Sequence, residues 1–305
     1  MRGFFRFLGE RLGDLLWFLR IRRRVVMENL RLAFPEWDER RRRQVGRGTF
    51  RNLGRMVADF LYVSRLRTED LDRLLVYEPG MLERILEARD AGNGVVVCTA
   101  HFGNFENLAA VHNLRGIPIA MITRRMAGGW LADLWRRGRS RAGVQDIIVN
   151  KGQTLHAALR AMREGRILGY VIDQNMPLRR AIFPTFFGVP AATSPTPAYL
   201  ALRSKAVIFF VVDVPLEDGR HRVVVEGPLR VPETGDRERD VLAFTQDLND
   251  RLERWVRLYP EQWYWVHRRW KTRPPSSPGG GRPAPEGTGP AAGGPAPIDR
   301  GVDAG

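Results

Sequence analysis

The chain has 305 residues, of which 44% are hydrophobic and 27% are charged, and it contains a single cysteine. This composition excludes a fully disordered polymer and a disulfide scaffold. The 49 lysines and arginines outnumber the 34 aspartates and glutamates, which gives a formal net charge of +15. Nucleic acid, an anionic membrane surface, and an acidic carrier or phosphorylated substrate would each suit that charge, and composition does not choose among them.

Three regions differ in composition. Residues 1–24 combine an amphipathic pattern with a basic cluster. Residues 25–274 have the mixture of apolar and polar segments that is typical of one folded domain, and residues 275–305 are rich in proline, glycine and alanine. The last region cannot bury enough apolar surface to offset the entropy of folding, so we expect a disordered tail. The excess positive charge belongs to the domain, because the tail is slightly acidic.

The first region, Gly3 to Ile21, predicts an amphipathic helix. Charged residues interrupt it, so it is not the uninterrupted apolar stretch that a spanning helix requires. An arginine cluster follows directly, a pattern suited to a helix lying in an anionic lipid interface. The alternative is a first helix that packs on the core. The apolar residues on the shared face are Phe4, Leu8, Leu12, Leu15, Leu16 and Leu19.

Further along the chain, helical patterns alternate with short apolar runs, which predict buried strands. This alternation predicts an α/β fold with a mostly parallel sheet covered by helices on both faces. The predicted helices are 38–64, 79–89, 106–114, 130–141, 154–164, 197–204 and 239–258. The predicted strands are 94–100, 117–123, 146–149, 167–173, 207–214 and 221–226.

A candidate catalytic histidine follows the first of these strands. In such sheets, ligands bind at the carboxyl ends of the strands. His101 lies at that position, and Glu106 follows in the first turn of the next helix. If the turn at Gly103 and Asn104 folds back, the carboxylate can accept the second imidazole N–H and make the histidine a general base. The alternative is a structural histidine capped by a nearby acid.

Other chemistries lack their motifs. The chain has no G-x-S-x-G nucleophile elbow, no dinucleotide fingerprint, no Walker loop and no metal-ligand histidine spacing. We therefore expect no metal and no bound cofactor. A histidine base without a protein nucleophile implies that a hydroxyl of the substrate attacks.

Six blocks and an N-terminal extension occur in order along the chain. They are RRRVVMENLRLAFPEW at 22–37, HFGNFE at 101–106, ITRRM at 122–126, a glycine-bounded segment at 152–165, IDQN at 172–175, FPTFFGVPAATSP at 183–195 and PEQWYWVHRRWKTRP at 260–274. Together they resemble the late acyltransferases of lipid A biosynthesis, the lauroyl and myristoyl transferases within the lysophospholipid acyltransferase superfamily. HFGNFE is similar to that family's H-x4-D/E block, and the resemblance runs from about Arg22 to Pro274.

The resemblance implies a glycerolipid acyltransferase-like fold and transfer of a fatty acyl chain from a thioester to a hydroxyl of a membrane glycolipid. It implies His101 as the general base, Glu106 as its orienting carboxylate and Arg124 as an oxyanion or phosphate ligand. Residues 263–270 mix aromatic and basic side chains and predict either an interfacial segment or a packed C-terminal lock. The residues expected to bind substrate are Asn104, Asp173, Gln174, Asn175, Phe186, Phe187 and Gly188.

Donor, acceptor and location follow from the same resemblance. We expect acyl carrier protein as donor, with acyl-CoA as the alternative, because both are anionic and the domain is basic. We expect a lipid A precursor as acceptor and peripheral attachment to the cytoplasmic face of the inner membrane, with no role for nucleic acid. Two alternatives stay open: a sister enzyme that acylates a lysophospholipid or phosphoglycolipid, and a non-catalytic membrane-binding relative.

Overall fold

The computed structural model describes residues 2–63, 68–124, 129–149 and 153–275. The predicted tail therefore lies almost wholly outside the described residues, and its disorder stays a prediction. The described part contains these helices: α1 (Arg2–Phe18), α2 (Arg23–Ala33), α3 (Glu39–Val63), α4 (Thr68–Leu74), α5 (Met81–Asp90), α6 (Phe105–Leu114), α7 (Trp130–Arg141), α8 (Thr154–Arg163), α9 (Thr196–Ser204) and α10 (Arg237–Leu258).

The described strands are β1 (Leu75–Tyr77), β2 (Val95–Thr99), β3 (Ile119–Thr123), β4 (Gln145–Ile148), β5 (Ile167–Val171), β6 (Thr185–Phe186), β7 (Val189–Pro190), β8 (Val207–Pro215) and β9 (His221–Leu229). Seven of them form one sheet in the order β1-β9-β8-β2-β5-β3-β4, and β6 and β7 form a separate hairpin. Strand β9 is antiparallel to β8, and the other neighbouring pairs of the large sheet are parallel. The predicted α/β fold with a mostly parallel sheet is confirmed.

Helices cover both faces of this sheet. Successive side chains of a strand point to opposite faces, and in β8 Phe210 enters one hydrophobic cluster while Phe209 enters another. The first cluster includes buried residues of α2, α8, α9 and α10, and the second includes buried residues of α4, α5 and α6. The near-continuous apolar runs of the sequence are thus strands buried on both sides.

Helix α1 packs on α3 through small and charged residues. A Cβ on Gly9 would lie 2.3 Å from the carbonyl oxygen of Gly54, so these two glycines let the helices approach closely. Nε of Arg2 lies 2.9 Å from Oδ1 of Asp59 on α3. The apolar side of α1 points away from the described part of the chain, with these residues between 41% and 63% exposed: Phe4, Phe5, Phe7, Leu8, Leu12, Leu15 and Phe18.

No helix in the described ranges is both long and apolar enough to cross a membrane. At the other end of the domain, Trp263, Trp265 and Trp270 are buried. The guanidinium of Arg269 is also buried, and its Nη1 donates to the carbonyl oxygen of Ala192 at 2.8 Å. Of the two alternatives for residues 263–270, the packed lock is therefore the correct one.

Candidate active site

The site lies at the carboxyl ends of β2 and β5, which are adjacent parallel strands. Thr99 at the end of β2 pairs with Val171 at the end of β5. His101 follows β2 by two residues and Asp173 follows β5 by two residues. Residues 72 positions apart are therefore brought to the same edge of the sheet.

Asp173 holds His101 through two contacts. Nδ1 of the imidazole lies 2.7 Å from Oδ1 of Asp173, and the backbone N–H of His101 donates to Oδ2 at 3.0 Å. An ionised carboxylate only accepts hydrogen bonds, so this contact places a proton on Nδ1. Nε2 is then the basic nitrogen, and the side chain of His101 is 16% exposed.

The carboxylate of Asp173 is itself fixed. Nε1 of Trp263 donates to its Oδ2 at 2.8 Å, and the residue is buried. Burial by itself would raise the pKa of Asp173, but the charge of His101 and the hydrogen bonds from His101 and Trp263 outweigh burial and lower the pKa below its usual value. Asp173 is therefore an ionised orienting group at neutral pH.

The basic face of His101 is bordered by Gln174 and by two aromatic rings. Nε2 of Gln174 lies 3.1 Å from Nε2 of His101. The rings of Phe105 and Tyr264 lie 4.7 Å and 5.5 Å from the imidazole, measured between ring centroids. A substrate hydroxyl that approaches Nε2 must take the place of the Gln174 amide.

Glu106 forms an ion pair with Arg139 and does not orient His101. Nε of Arg139 on α7 donates to its Oε2 at 2.8 Å, and Nη1 of the same guanidinium donates to Asp146 at 2.8 Å. Phe105 faces His101, and one residue further along α6 the side chain is turned by about 100° around the helix axis. The prediction that Glu106 accepts the second N–H of His101 is therefore wrong, because Asp173 already occupies Nδ1.

The buried pair of Glu106 and Arg139 joins α6 to α7. Burial alone would lower the pKa of Arg139. The negative charges of Glu106 and Asp146, which both bind its guanidinium, outweigh burial and raise the pKa. Glu106 is 3% exposed. Such a pair fixes the position of α6, the helix that begins directly after the turn at Gly103 and Asn104.

The turn after His101 is held by Asp213 of β8. Gly103 has a φ of +59°, and a Cβ there would lie 1.8 Å from the carbonyl oxygen of Asp213. The backbone N–H of Asn104 donates to Oδ2 of Asp213 at 2.8 Å. The same carboxylate contacts Nδ1 of His221 at 3.0 Å, and all three side chains are buried. The predicted tight turn at Gly103 and Asn104 is confirmed.

Asn104 also caps α6. Its Oδ1 accepts from the backbone N–H of Asn107 at 3.3 Å, as an N-cap residue does. Its Nδ2 atom is buried and has no hydrogen-bond partner among the described residues. Buried donors are nearly always paired, so this amide is a candidate ligand for a substrate oxygen, and that role stays a prediction.

Arg124 and Asn175 lie at the same edge of the sheet. Arg124 directly follows β3, is exposed, and its Nη2 contacts Sδ of Met176 at 3.0 Å. No carboxylate lies within 4 Å of its guanidinium among the described residues. The backbone N–H of Asn175 donates to Nε2 of His267 at 2.8 Å, which gives His267 a structural role.

Phe187 and Gly188 form the two-residue turn between β6 and β7, and Phe186 is the last residue of β6. Phe187 and Gly188 have positive φ, as the two central residues of a tight hairpin turn do. Both rings are buried: Phe186 contacts Trp263 and Trp270, and Phe187 contacts Phe34 and Trp265. The expected role of these three residues in binding substrate stays a prediction.

Asp173 was predicted to bind substrate, but both of its carboxylate oxygens are taken by His101 and Trp263. Three further residues were not predicted in these roles: Trp263, Arg139 and Asp213. Asp213 follows the last buried valine pair of β8, and a charged residue inside an apolar strand was the one available signal. Trp263 and Arg139 approach the site from elements whose packing is not encoded in any local pattern.

Known bacterial acyltransferases are similar to this chain over most of its length. The family model described as "Bacterial lipid A biosynthesis acyltransferase" matches residues 2–272. A lipid A biosynthesis lauroyltransferase of Escherichia coli (strain K12) is 27% identical over 89% of this chain and 86% of its own length. A lipid A biosynthesis palmitoleoyltransferase of the same organism is 26% identical over 88% and 85%. A phosphatidylinositol mannoside acyltransferase of Mycolicibacterium smegmatis is 25% identical over 62% and 60%.

Proposed function

The chain belongs to the bacterial lipid A biosynthesis acyltransferase family, and from that membership we propose that it acylates a hydroxyl of a lipid A precursor with His101 as general base. The chain is an O-acyltransferase. The observation that carries the mechanism is the 2.7 Å contact between Nδ1 of His101 and Oδ1 of Asp173. This contact leaves Nε2 as the atom that accepts a proton.

The reaction follows from that tautomer. Nε2 of His101 removes the proton of the acceptor hydroxyl as its oxygen attacks the thioester carbonyl carbon. The carbonyl oxygen becomes an oxyanion in a tetrahedral intermediate. The carbon–sulfur bond then breaks, and Nε2 returns the proton to the leaving thiolate, so that an ester and a free thiol result. Asp173 stabilises the imidazolium between these two steps.

The oxyanion requires a donor. Arg124 is our first candidate, because it lies at the same edge of the sheet and has no carboxylate partner among the described residues. The unpaired Nδ2 of Asn104 is a second candidate. A cation or amide placed at that point supplies a large part of the stabilisation in acyl transfer. Gln174, Asn175, Phe186, Phe187 and Gly188 are proposed to shape the substrate cavity around His101.

We propose acyl carrier protein as donor, because an acidic protein is attracted by a domain of strong positive charge; acyl-CoA is the alternative donor. The acceptor class rests on the names of the relatives. The relative that is named for acylation of phosphatidylinositol mannoside favours, as a second candidate, another glycolipid acceptor.

We propose that the protein is peripheral to the cytoplasmic face of the inner membrane. The exposed apolar side of α1 supports this proposal, because a monomeric soluble protein rarely exposes so large a contiguous apolar patch. The charged side of α1 faces α3, which leaves the apolar side to enter the lipid interface.

Mass spectrometry of the reaction products tests this function. Purified protein is incubated with acyl carrier protein charged with a fatty acid and with either a lipid A precursor or phosphatidylinositol mannoside. We expect the mass of the lipid A precursor to rise by one acyl group. Acylation of phosphatidylinositol mannoside alone would favour the second candidate, and no transfer to either lipid would contradict the proposal.

A further inference from the structure

A basic cleft lies along α3, outside the catalytic residues. It has a volume of about 480 Å³, and its polar lining includes five arginines of α3. They recur at intervals of three or four residues, which places them on one face of the helix. The charged lining residues are Arg40, Arg43, Arg47, Arg51, Arg55, Glu10 and Glu261.

Part of this arginine row is held in place by α1. Nε of Arg47 lies 2.6 Å from Oδ1 of Asp14, and Nε of Arg51 lies 2.8 Å from the same atom. The hydrogen bonds from Arg47 and Arg51 lower the pKa of Asp14 well below its usual range, so Asp14 stays ionised. Preorganised guanidinium groups lose less conformational entropy when they bind an anion.

Two arginines of the row have no such partner. Arg40 and Arg43 are exposed, and neither has a carboxylate within 4 Å among the described residues. The cleft therefore contains more arginine charge than Asp14, Glu10 and Glu261 neutralise. Planar guanidinium groups that have no carboxylate partner are common protein ligands of phosphate.

The cleft borders the apolar side of α1. Phe18, which is 63% exposed, forms part of the lining, and the guanidinium of Arg47 lies 5.2 Å from the centre of its ring. Phe18 is the last residue of α1 and belongs to the exposed apolar set of that helix. A ligand in the cleft thus lies beside a surface suited to acyl chains.

The lining of the cleft is connected through the backbone to the turn that follows His101. Glu261 lines the cleft, and in the next residue the carbonyl oxygen of Gln262 accepts from the backbone N–H of Gly103 at 3.0 Å. Trp263 follows and donates to Asp173. The cleft and His101 are therefore separated by one short segment of chain.

We propose that this cleft binds the phosphate group of a membrane lipid, with the arginines of α3 as its ligands and α1 against the acyl chains. Glu261 offers an acceptor for a hydroxyl of the same headgroup. This inference does not depend on the acyl-transfer reaction, because it concerns binding alone. The lipid is either a bulk phospholipid or a phosphorylated glycolipid.

Vesicle flotation of the full chain tests the proposal. The vesicles consist of phosphatidylcholine alone or of phosphatidylcholine with phosphatidic acid, with a phosphorylated lipid A precursor, or with oleate at equal negative charge. Oleate carries a carboxylate in place of phosphate and so measures diffuse attraction. The test variant is Arg40→Ala with Arg43→Ala, and the control is Arg160→Ala with Arg163→Ala, which removes the same charge from the exposed surface of α8.

We expect the test variant to bind phosphatidic acid vesicles about thirtyfold more weakly than the wild type and to lose clearly less on oleate vesicles. Hydrogen bonds from guanidinium groups to phosphate add to the diffuse attraction that both kinds of anionic vesicle exert. Binding to phosphatidylcholine, whose phosphate is neutralised by its own choline cation, should be weak for the wild type and the variant alike, and the control should match the wild type. Stronger retention on the precursor vesicles than on phosphatidic acid would assign the cleft to a glycolipid, and equal retention would assign it to phospholipid.

A variant that keeps the charge separates phosphate binding from general attraction. Arg40→Lys with Arg43→Lys should bind oleate vesicles like the wild type but lose preference for phosphate, because lysine lacks the planar fork. An unchanged affinity of the alanine variant for phosphatidic acid would overturn the proposal. An equal loss on oleate and phosphatidic acid vesicles, or an equal loss in the α8 control, would also overturn it.

Discussion

Nδ1 of His101 lies 2.7 Å from Oδ1 of Asp173, although the two residues belong to loops that follow different strands of the sheet. Their contact depends on the parallel pairing of β2 with β5. Trp263 holds the carboxylate from the C-terminal segment. The orientation of the His101 imidazole is therefore a property of the assembled domain and not of the H-x4-E block.

The role of Glu106 is predicted to be structural. Glu106→Ala leaves the guanidinium of Arg139, whose side chain is only 12% exposed, with Asp146 as its remaining carboxylate partner. Removing one partner of a buried ion pair typically costs about 3 kcal/mol or more, so we expect a fall of roughly 10 °C in Tm. Thermal unfolding measures this change.

Glu164→Ala is the control for Glu106→Ala, because Glu164 forms an exposed pair with Arg160. We expect its Tm to stay within about 1–2 °C of the wild type. A Glu106→Ala protein with normal Tm and no transfer activity would contradict the structural role and return Glu106 to the chemistry.

Gly103 is predicted to tolerate no side chain. An alanine would place its Cβ 1.8 Å from the carbonyl oxygen of Asp213, in a backbone conformation that already costs about 1–2 kcal/mol. We expect Gly103→Ala to lower Tm strongly and to displace His101. Gly116→Ala is the matched control, because φ there is +83° but no atom lies within 4 Å of the added Cβ.

Equal effects of the two glycine substitutions on Tm would show that positive φ alone matters and that Asp213 does not restrict the turn. We expect the Tm of Gly116→Ala to exceed the Tm of Gly103→Ala by several degrees. Activity of the purified Gly103 variant at low temperature, where it is folded, measures the displacement of His101 separately.

Most of the sheet was predictable because its strands are buried on both faces and are therefore continuously apolar. The runs at 94–100 and 207–214 match β2 and β8 closely. Helix α4 and strand β1 were missed, because each is short and the segment has no periodicity of its own. Helix α2 was missed as a helix because its residues were interpreted only as part of the family resemblance.

The partner of His101 was not predictable from local spacing. Asp173 was expected at the end of a strand, but the order β2-β5 within the sheet is set by packing between distant segments. Glu106 was chosen because it is near in sequence, and the rotation of successive residues around α6 sends it toward Arg139 instead. The direction in which α6 points the Glu106 side chain decides its partner, and its closeness to His101 in sequence does not.

Two partly buried histidines predict a loss of stability in mild acid. Burial lowers the pKa of His112 and of His267 from 6.5 to about 4. Between these values the unfolded chain binds protons that the folded chain does not, so the free energy of unfolding falls as pH decreases from about 6.5 to about 4. Above pH 6.5 these two residues contribute no pH dependence.

Thermal unfolding across this pH range checks the prediction, with His267→Gln as the comparison. Glutamine retains an acceptor for the backbone N–H of Asn175 but does not titrate. We expect the variant to lose less stability in acid than the wild type. An identical slope in both proteins would contradict the assignment to His267.

Membrane binding is predicted to depend on the apolar side of α1. Replacing Phe4, Leu8 and Leu12 by serine removes exposed apolar groups, each of which contributes about 1–2 kcal/mol when it enters lipid. We expect the triple variant to remain folded and to move from the vesicle-bound to the soluble fraction. High salt should release the wild-type protein only partly, since salt screens only the arginine contribution.

The control for the α1 variant replaces Leu155, Leu242 and Leu258, which are also exposed but lie on α8 and α10. We expect that control to stay bound to vesicles. A triple α1 variant that still floats with vesicles would place the membrane contact on another surface of the domain.

The most direct test of the catalytic pair is the single-turnover rate of acyl transfer by His101→Ala, Asp173→Asn and the double variant. Because the two side chains act as one unit, their effects should not add. We predict a loss of about a thousandfold for His101→Ala, a smaller loss for Asp173→Asn, and a double variant no slower than His101→Ala alone. Substantial turnover by His101→Ala, or losses that multiply in the double variant, would contradict a base that is oriented by Asp173.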